Sequence, residues 1–407
     1  MFLFIIVMER KNMERRFKSK ILFLIPLFLF VATEGIFSVQ SLLPLIVVTF
    51  VYDCLFSNHR IDKTEGYVYI IFLLITILSI ATNIIFSPNY LTNQSFIRII
   101  YQIIIIYFYY SMTHVKYSSD DINLALYSLI GVGCIVSLYF VFIQKIWFVN
   151  FLGVRIDKNF VGAFLMLGAN FSFIFLLKNK KRKKIMFCAA YILLLIGIFF
   201  SASRASMLYC IATNFITLIM YVKQISKSSK GFLKALIIIC CLPIALIVFW
   251  NLIQSKMSNS SIDISWYWNR YFVNGYSDIS VTGRFVWWKK AFEYFMKRPL
   301  YGYGIGSINV SGNSSAVTHN TYLDFLVDQG ILGFLLFLFL LKRSLCKIFY
   351  YKQELFYGVV LCVLIGIFNL SATRSTFLWY SLILLYSISR CDWKGQNLDI
   401  DTSRTNI

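Results

Sequence analysis

The chain is expected to fold as an all-α, polytopic transmembrane helical bundle of about twelve spans, with one long outward-facing loop containing an amphipathic helix. Three observations lead there. Of 407 residues, 59% are hydrophobic and only 14% charged, and the mean hydropathy is +0.71. Apolar runs of about 18 residues or more recur, each long enough to cross roughly 30 Å of hydrocarbon. A membrane β-barrel would instead show alternating segments of about ten residues. The net charge of +21 raises the question of nucleic acid. Most Lys and Arg, however, sit in short loops on one side of the expected membrane, so no nucleic-acid partner is predicted.

Met1–Met8 is apolar but too short to span, and no small-residue cleavage site follows it, so no removable signal peptide is expected. Met8 and Met13 are alternative starts. Residues 1–20 read as a basic cytoplasmic N-terminus. The expected spans 1–9 lie within residues 21–251: Ile21–Phe37, Val39–Phe56, Gly66–Phe86, Phe96–Thr113, Ile122–Phe142, Phe160–Leu177, Ile185–Phe200, Ala205–Val222 and Phe232–Asn251. Residues 252–320 form an extracytoplasmic loop. Residues 321–390 hold Thr321–Leu341, Leu355–Leu370 and Ser375–Ile388, and residues 391–407 form a cytoplasmic tail. The basic runs Arg10–Lys20, Lys178–Lys184, Lys223–Lys234 and Lys342–Lys352 then share one side with both termini, which the positive-inside rule makes cytoplasmic. The nine cysteines lie in spans, at span ends or in basic loops, and are expected to be packing residues rather than disulfides or zinc ligands. The tail pair Asp399 and Asp401 has the spacing of a nucleotide-sugar metal motif but sits in a polar, solvated tail.

The outer loop is the one long aqueous segment. From Thr282 its pattern turns helical, with Thr282 as expected N-cap and Phe285, Trp288, Phe292 and Phe295 at three- and four-residue spacing. Lys289, Lys290, Lys297 and Arg298 lie off that stripe, and Pro299 ends it. A basic aromatic helix beside a bilayer either lies along the interface or packs its stripe on the bundle, and both hold together.

Several outer residues are candidates for chemistry. Arg204, in Phe199-Phe-Ser-Ala-Ser-Arg204, is held between two spans with almost no loop, where a charge lines a cavity or meets a partner. The plainer reading is a snorkelling anchor. Arg374, in Ser371-Ala-Thr-Arg374, is similarly placed, and Arg155 and Lys158 sit on another outer loop where they bind anionic substrate or simply decorate it. Arg284 opens the amphipathic helix and adds a bidentate phosphate donor beside free helix N–H groups. Gly302, Gly304 and Gly306 match neither a Walker nor a dinucleotide motif, since no Gly-Lys-Ser/Thr follows and no strand–turn–helix surrounds them. They are expected to make a tight turn back to the membrane, with phosphate contact at Gly304 as the second reading. His319 is the strongest catalytic candidate: the other histidines, His59 and His114, fall in cytoplasmic loops, and imidazole accepts a proton near neutrality. Asn320 follows it, with Asp324 and Asp328 one and two turns on; the plainer role for His319 is to cap that helix.

Arg204 at a span end, Thr-Gly-Arg284, the Gly-x-Gly-x-Gly run and His319-Asn320 leading into a span together resemble the O-antigen polymerase/ligase superfamily, over roughly residues 199–333. The resemblance implies a metal-independent membrane glycosyltransferase of the bacterial cytoplasmic (inner) membrane with no cofactor. It implies a functional core of Arg204, Arg284 and His319. From their own placement, Arg155, Asn320, Arg374 and Gly304 are the substrate-binding candidates. The implied substrate is a glycan on undecaprenyl pyrophosphate, met at the outer face of the membrane. The expected activity is polymerisation of repeat units into surface polysaccharide, such as O-antigen or capsule. Ligation of the glycan to a lipid A-core or protein acceptor is the alternative, and a lipid-linked oligosaccharide flippase or transporter is less favoured, because the spans are nearly free of charge. Membrane lipid and a chain-length regulator protein are the other expected partners.

Overall fold

The computed structural model describes residues 2–31, 39–56, 63–86, 93–142, 149–151, 154–156, 158–179, 181–201, 203–226, 279–304, 318–370 and 375–391. Among these are 12 α-helices. In chain order they are α1 (Phe2–Val31), α2 (Val39–Phe56), α3 (Lys63–Phe86), α4 (Asn93–His114), α5 (Ser119–Phe142), α6 (Lys158–Lys178), α7 (Lys181–Phe200), α8 (Arg204–Ile225), α9 (Ile279–Lys297), α10 (Thr321–Tyr350), α11 (Tyr357–Phe368) and α12 (Thr376–Arg390). A 3₁₀ turn, Glu354–Phe356, precedes α11. The all-α expectation holds apart from a small antiparallel hairpin, β1 (Val149–Phe151) with β2 (Val154–Ile156), just before α6. Five helices, α5, α6, α7, α8 and α10, are long and apolar enough over most or all of their length to cross a membrane. The expected span Phe232–Asn251 lies outside the described residues.

Helix α6 forms the centre. Every residue from Val161 to Phe175 is buried, and α6 packs on α5, α7, α8 and α11. Small residues make the approach close, as membrane helices require in place of a hydrophobic drive. Gly162 faces Ser203 and Ser206 of the α7–α8 corner, and Gly197 of α7 faces Ser137 of α5. A buried polar seam runs between α6 and α8, where Asn170 Nδ2 donates to Thr213 Oγ1 at 3.0 Å.

Two elements differ from expectation for the same reason. The helix of the first expected span begins earlier, and α1 runs unbroken through the basic stretch up to Lys20. Lys18 is fully buried there, pairing with Glu14 at 3.0 Å and Asp53 of α2 at 3.1 Å and donating to the Ser111 carbonyl of α4 at 3.0 Å. Likewise α10 continues to Tyr350 through Lys342–Lys347, with Arg343 over the Tyr386 ring and bonded to Tyr69 and Tyr386 hydroxyls. Charges given partners in place do not break a helix; only unpaired ones are excluded from low dielectric. These clusters all lie at one end of the bundle, where α1, α2, α4, α5, α10 and α12 meet.

Helix α10 is interrupted at Gly330, whose φ of 66° and ψ of −166° leave the helical region. The segment after α9 fills the gap. Ile331 N donates to Pro299 O at 2.7 Å and Leu332 N to Leu300 O at 3.3 Å. In return Tyr303 N donates to Val327 O at 2.9 Å and Gly304 N to Asp328 O at 2.8 Å. Gly302 (φ 68°) and Gly304 (φ 90°) bend the segment into place. A Cβ on Gly330 would collide with the Leu300 carbonyl, and one on Gly302 with the Val327 carbonyl. Gly330→Ala and Gly302→Ala are therefore each expected to cost at least about 2 kcal/mol, from the strained φ plus the backbone clash. Thermal unfolding of the purified protein in detergent checks this; an unchanged Tm for both variants contradicts it.

Candidate functional site

The opposite end of the bundle gathers most of the candidate residues, and the end of α11 joins them. Phe368, Asn369 and Leu370 are consecutive, and each holds a different element. The Phe368 ring meets Trp288 of α9 edge-on at 5.3 Å and lies 6.4 Å from Tyr322 of α10. Asn369 Oδ1 accepts from Arg284 Nη1 at 3.4 Å, while its Nδ2 donates to the Tyr209 hydroxyl of α8 at 2.8 Å. The Leu370 carbonyl accepts from Thr321 Oγ1 at 2.6 Å. Three residues thus fasten α8, α9 and α10 together.

Arg204 is the first residue of α8 and is half-buried. Its corner is built from short hydroxyls: Ser203 Oγ lies 2.9 Å from Ser206 Oγ and donates to Asn159 Oδ1 at 3.3 Å. A small cleft lies beside it, lined by Asn159, Ser203, Ser206, Tyr209, Asn369 and Leu370, among others. Asn369, the partner of Arg284, therefore lines the cleft that the neighbours of Arg204 also line.

Helix α9 begins at Ile279, earlier than its sequence pattern indicates, so Thr282 is inside the helix rather than its N-cap. Arg284 is consequently more than a turn in, and it is not placed against the free N–H groups of that helix start. The helix packs a different seam from the expected stripe: Ala291 and Val327 of α10 are buried together, with Trp287, Tyr294, Phe295 and Leu323 around them. Phe285 and Phe292, two of the four residues in the expected stripe, are exposed.

The turn into α10 carries His319. Trp288 Nε1 donates to Thr318 O at 2.9 Å, and Trp287 sits 5.8 Å from the His319 ring. Thr318 Oγ1 accepts from Asn320 N at 3.1 Å and donates to the Asp324 carboxylate. The N-cap of α10 is Asn320, whose side-chain oxygen accepts from Tyr322 N at 3.0 Å and Leu323 N at 3.2 Å. Capping is therefore not the task of His319. His319 itself is half-buried, with φ at 51°, a conformation uncommon for residues other than glycine.

Sequence reasoning singled out Arg204, Arg284 and His319 as candidates, and the geometry puts all three at this end, with Asn369, Trp288 and Thr318 among the residues that tie their elements together. Arg155 stands on β2 opposite Asn150, in the hairpin that leads into α6, four residues before Asn159. Gly304 spends its N–H on the Asp328 carbonyl. Arg374 and Gly306 lie outside the described residues. Asn369 and Tyr209 were not singled out; a polar residue at the end of an otherwise apolar span, as in Phe368-Asn-Leu370, was the available signal.

The fold and this end define a helical membrane protein whose polar and cationic groups converge at one mouth of the bundle. Residues 189–338 match the family model described as O-antigen ligase, which supports placing the chain in the O-antigen polymerase/ligase superfamily and supports a membrane role in polysaccharide biosynthesis. The matched stretch includes Arg204, Arg284 and His319. No curated protein matches the chain.

The cap and the catalytic candidate are adjacent and separable. Asn320→Ala is expected to destabilise by about 1 kcal/mol through loss of the cap. His319→Gly relieves a positive φ and is expected to leave Tm unchanged or raised. Thermal melts of the two variants decide; a larger loss for His319→Gly than for Asn320→Ala contradicts the division.

Proposed function

We propose that the protein polymerises oligosaccharide repeat units carried on undecaprenyl pyrophosphate, at the outer face of the cytoplasmic membrane. The observation that carries this reading is the junction at Phe368–Leu370, which ties the helix of Arg284, the helix of Arg204 and the start of the helix that follows His319 to the end of α11. The family match over the same residues supports it.

In this reading a hydroxyl oxygen of the acceptor glycan attacks the anomeric carbon of the donor. The bond from that carbon to the pyrophosphate oxygen breaks, and the leaving group departs on its lipid as undecaprenyl pyrophosphate. His319 takes the hydroxyl proton or orients that hydroxyl, then returns the proton to solvent or to the leaving phosphate. Arg204 and Arg284 carry permanent positive charge and stabilise the charge that builds on the pyrophosphate. Asn369 holds the Arg284 guanidinium and Trp288 holds the Thr318 carbonyl beside His319, so both groups are oriented before substrate arrives. The positive φ of His319 belongs with such a role, since strain of this kind clusters where function requires it. One displacement inverts the anomeric centre. Arg155, Arg374, Asn320 and Gly304 remain candidates for binding the glycan, and a chain-length regulator is an expected partner.

The second reading is transfer of finished polymer to a lipid or protein acceptor, favoured by the family description itself. Surface glycan in cells carrying His319→Ala, Arg204→Ala or Arg284→Ala, at matched membrane levels, separates the readings. Loss of long polymer with single repeat units still at the surface is the expected result. Loss of all surface glycan, with full-length polymer retained on its carrier, establishes ligation instead. Unchanged glycan in all three removes the catalytic assignment.

A further inference from the structure

Helix α9 shows three faces rather than two. At about 100° per residue, the seam of Trp287, Ala291 and Tyr294 occupies one arc and packs on α10. Lys289, Lys290, Glu293 and Lys297 occupy the far arc and are exposed. Between them Phe285, Phe292 and Met296 fall within roughly 40° of one another. They are 63%, 54% and 60% exposed, and Leu300 just past the helix end is 56% exposed. Large apolar side chains do not stand in a row in water without a partner.

The row continues onto the exposed apolar side of α10. The Leu332 N–H donates to the Leu300 carbonyl, so the end of the α9 row abuts Leu332, and Leu335 and Phe339 follow at helical spacing on the exposed side of α10. That side belongs to a helix long and apolar enough to cross a bilayer. The depth agrees. Gly330, to which the end of α9 is tied, lies about 18 Å along α10 from Lys342, at 1.5 Å per residue. Hydrocarbon is about 30 Å thick, so the C-terminal end of α9 is held roughly 10 Å below the far boundary. The other end, through Trp288 and Thr318, is held at the start of α10.

We propose that α9 is a partly submerged helix, with the Phe285–Phe292–Met296 row and Leu300 seated in the acyl chains of the leaflet on the site's side. The lysine arc then faces the headgroup region, where it attracts anionic lipid. The occupant of the apolar row is the bilayer itself. This placement stands whatever reaction the site performs. It has a consequence for that reaction, because α9 holds Arg284 at the level of lipid phosphates rather than out in the aqueous loop.

Photocrosslinking tests the placement without any activity readout. p-Benzoylphenylalanine is placed singly at Phe285, Phe292 and Met296, and at Lys290 and Glu293 as water-side controls, in the full chain. Each protein is reconstituted in vesicles of phosphatidylethanolamine and phosphatidylglycerol, irradiated, and its adducts are identified by mass spectrometry. All five positions are exposed, and at Phe285 and Phe292, whose rings meet Trp288 and Phe295, the probe keeps an aromatic ring in place. Phospholipid adducts at the apolar row, roughly tenfold above the controls, are expected for a helix seated in acyl chains. Equal low yields at all five positions overturn the proposal, because the row then faces water. Adducts to protein alone also overturn it, because a second copy or a partner chain then covers the row.

Discussion

A helix broken at membrane depth leaves backbone N–H and C=O groups that hydrocarbon cannot satisfy. In α10 the break is at Gly330, and the groups released on either side of it are taken up by Pro299, Leu300, Tyr303 and Gly304. That exchange fixes where the chain leaving α9 must run. It therefore also fixes α9, because only Arg298 separates the helix from the bonded segment that begins at Pro299. Leaving those groups without partners would cost several kcal/mol each, so the outer segment is bound to the bundle by backbone chemistry as well as by side-chain packing. The cation–π contact of Arg298 with the Tyr303 ring, 4.4 Å from its centroid, reinforces the same junction.

With α9 fixed at one end, the geometry of the polar mouth follows. Trp288 reaches Thr318, Arg284 reaches Asn369, and the end of α11 links both to α8. The site is assembled from residues more than a hundred positions apart, yet each is on or next to a rigid helix rather than on a free loop. Rigid support of this kind is what electrostatic stabilisation of a departing pyrophosphate demands, since donors that must reorganise during the reaction lose their advantage. The opposite end uses a different device. There Lys18 and Asp53 are buried and Arg343 half-buried, each with partners, and they hold helices in register instead of facing a cleft.

Much of this was legible in the chain because bilayer thickness imposes a length on apolar runs, and the runs from Val39 to Phe56 and from Arg204 onward coincide with helices. Arg204 and His319 were legible for a related reason: a charge or imidazole beside lipid is costly enough to stand out. What stayed hidden depended on partners distant in sequence. Nothing local says that Lys18 meets Asp53, so the expected first span starts only at Ile21, after the basic run that α1 includes. Nothing local says that α9 packs by Trp287 and Ala291, because aromatic residues at helical spacing occur on both its buried and its exposed arcs. Gly302 and Gly304 bend the chain as a turn, but their geometry is dictated by Val327 and Asp328 on another helix.

The central claim is that the segment after α9 is bonded into the break of α10, and amide hydrogen exchange reads it most directly. The full-length protein in lipid nanodiscs is exchanged and the peptides covering Pro299–Gly304 and Val327–Leu332 are followed by mass spectrometry. The account predicts that the amides of Tyr303, Gly304, Ile331 and Leu332 exchange as slowly as those of the buried helix α6, since all four are donated within the protein. Exchange of these amides at the rate of a solvated loop would contradict it.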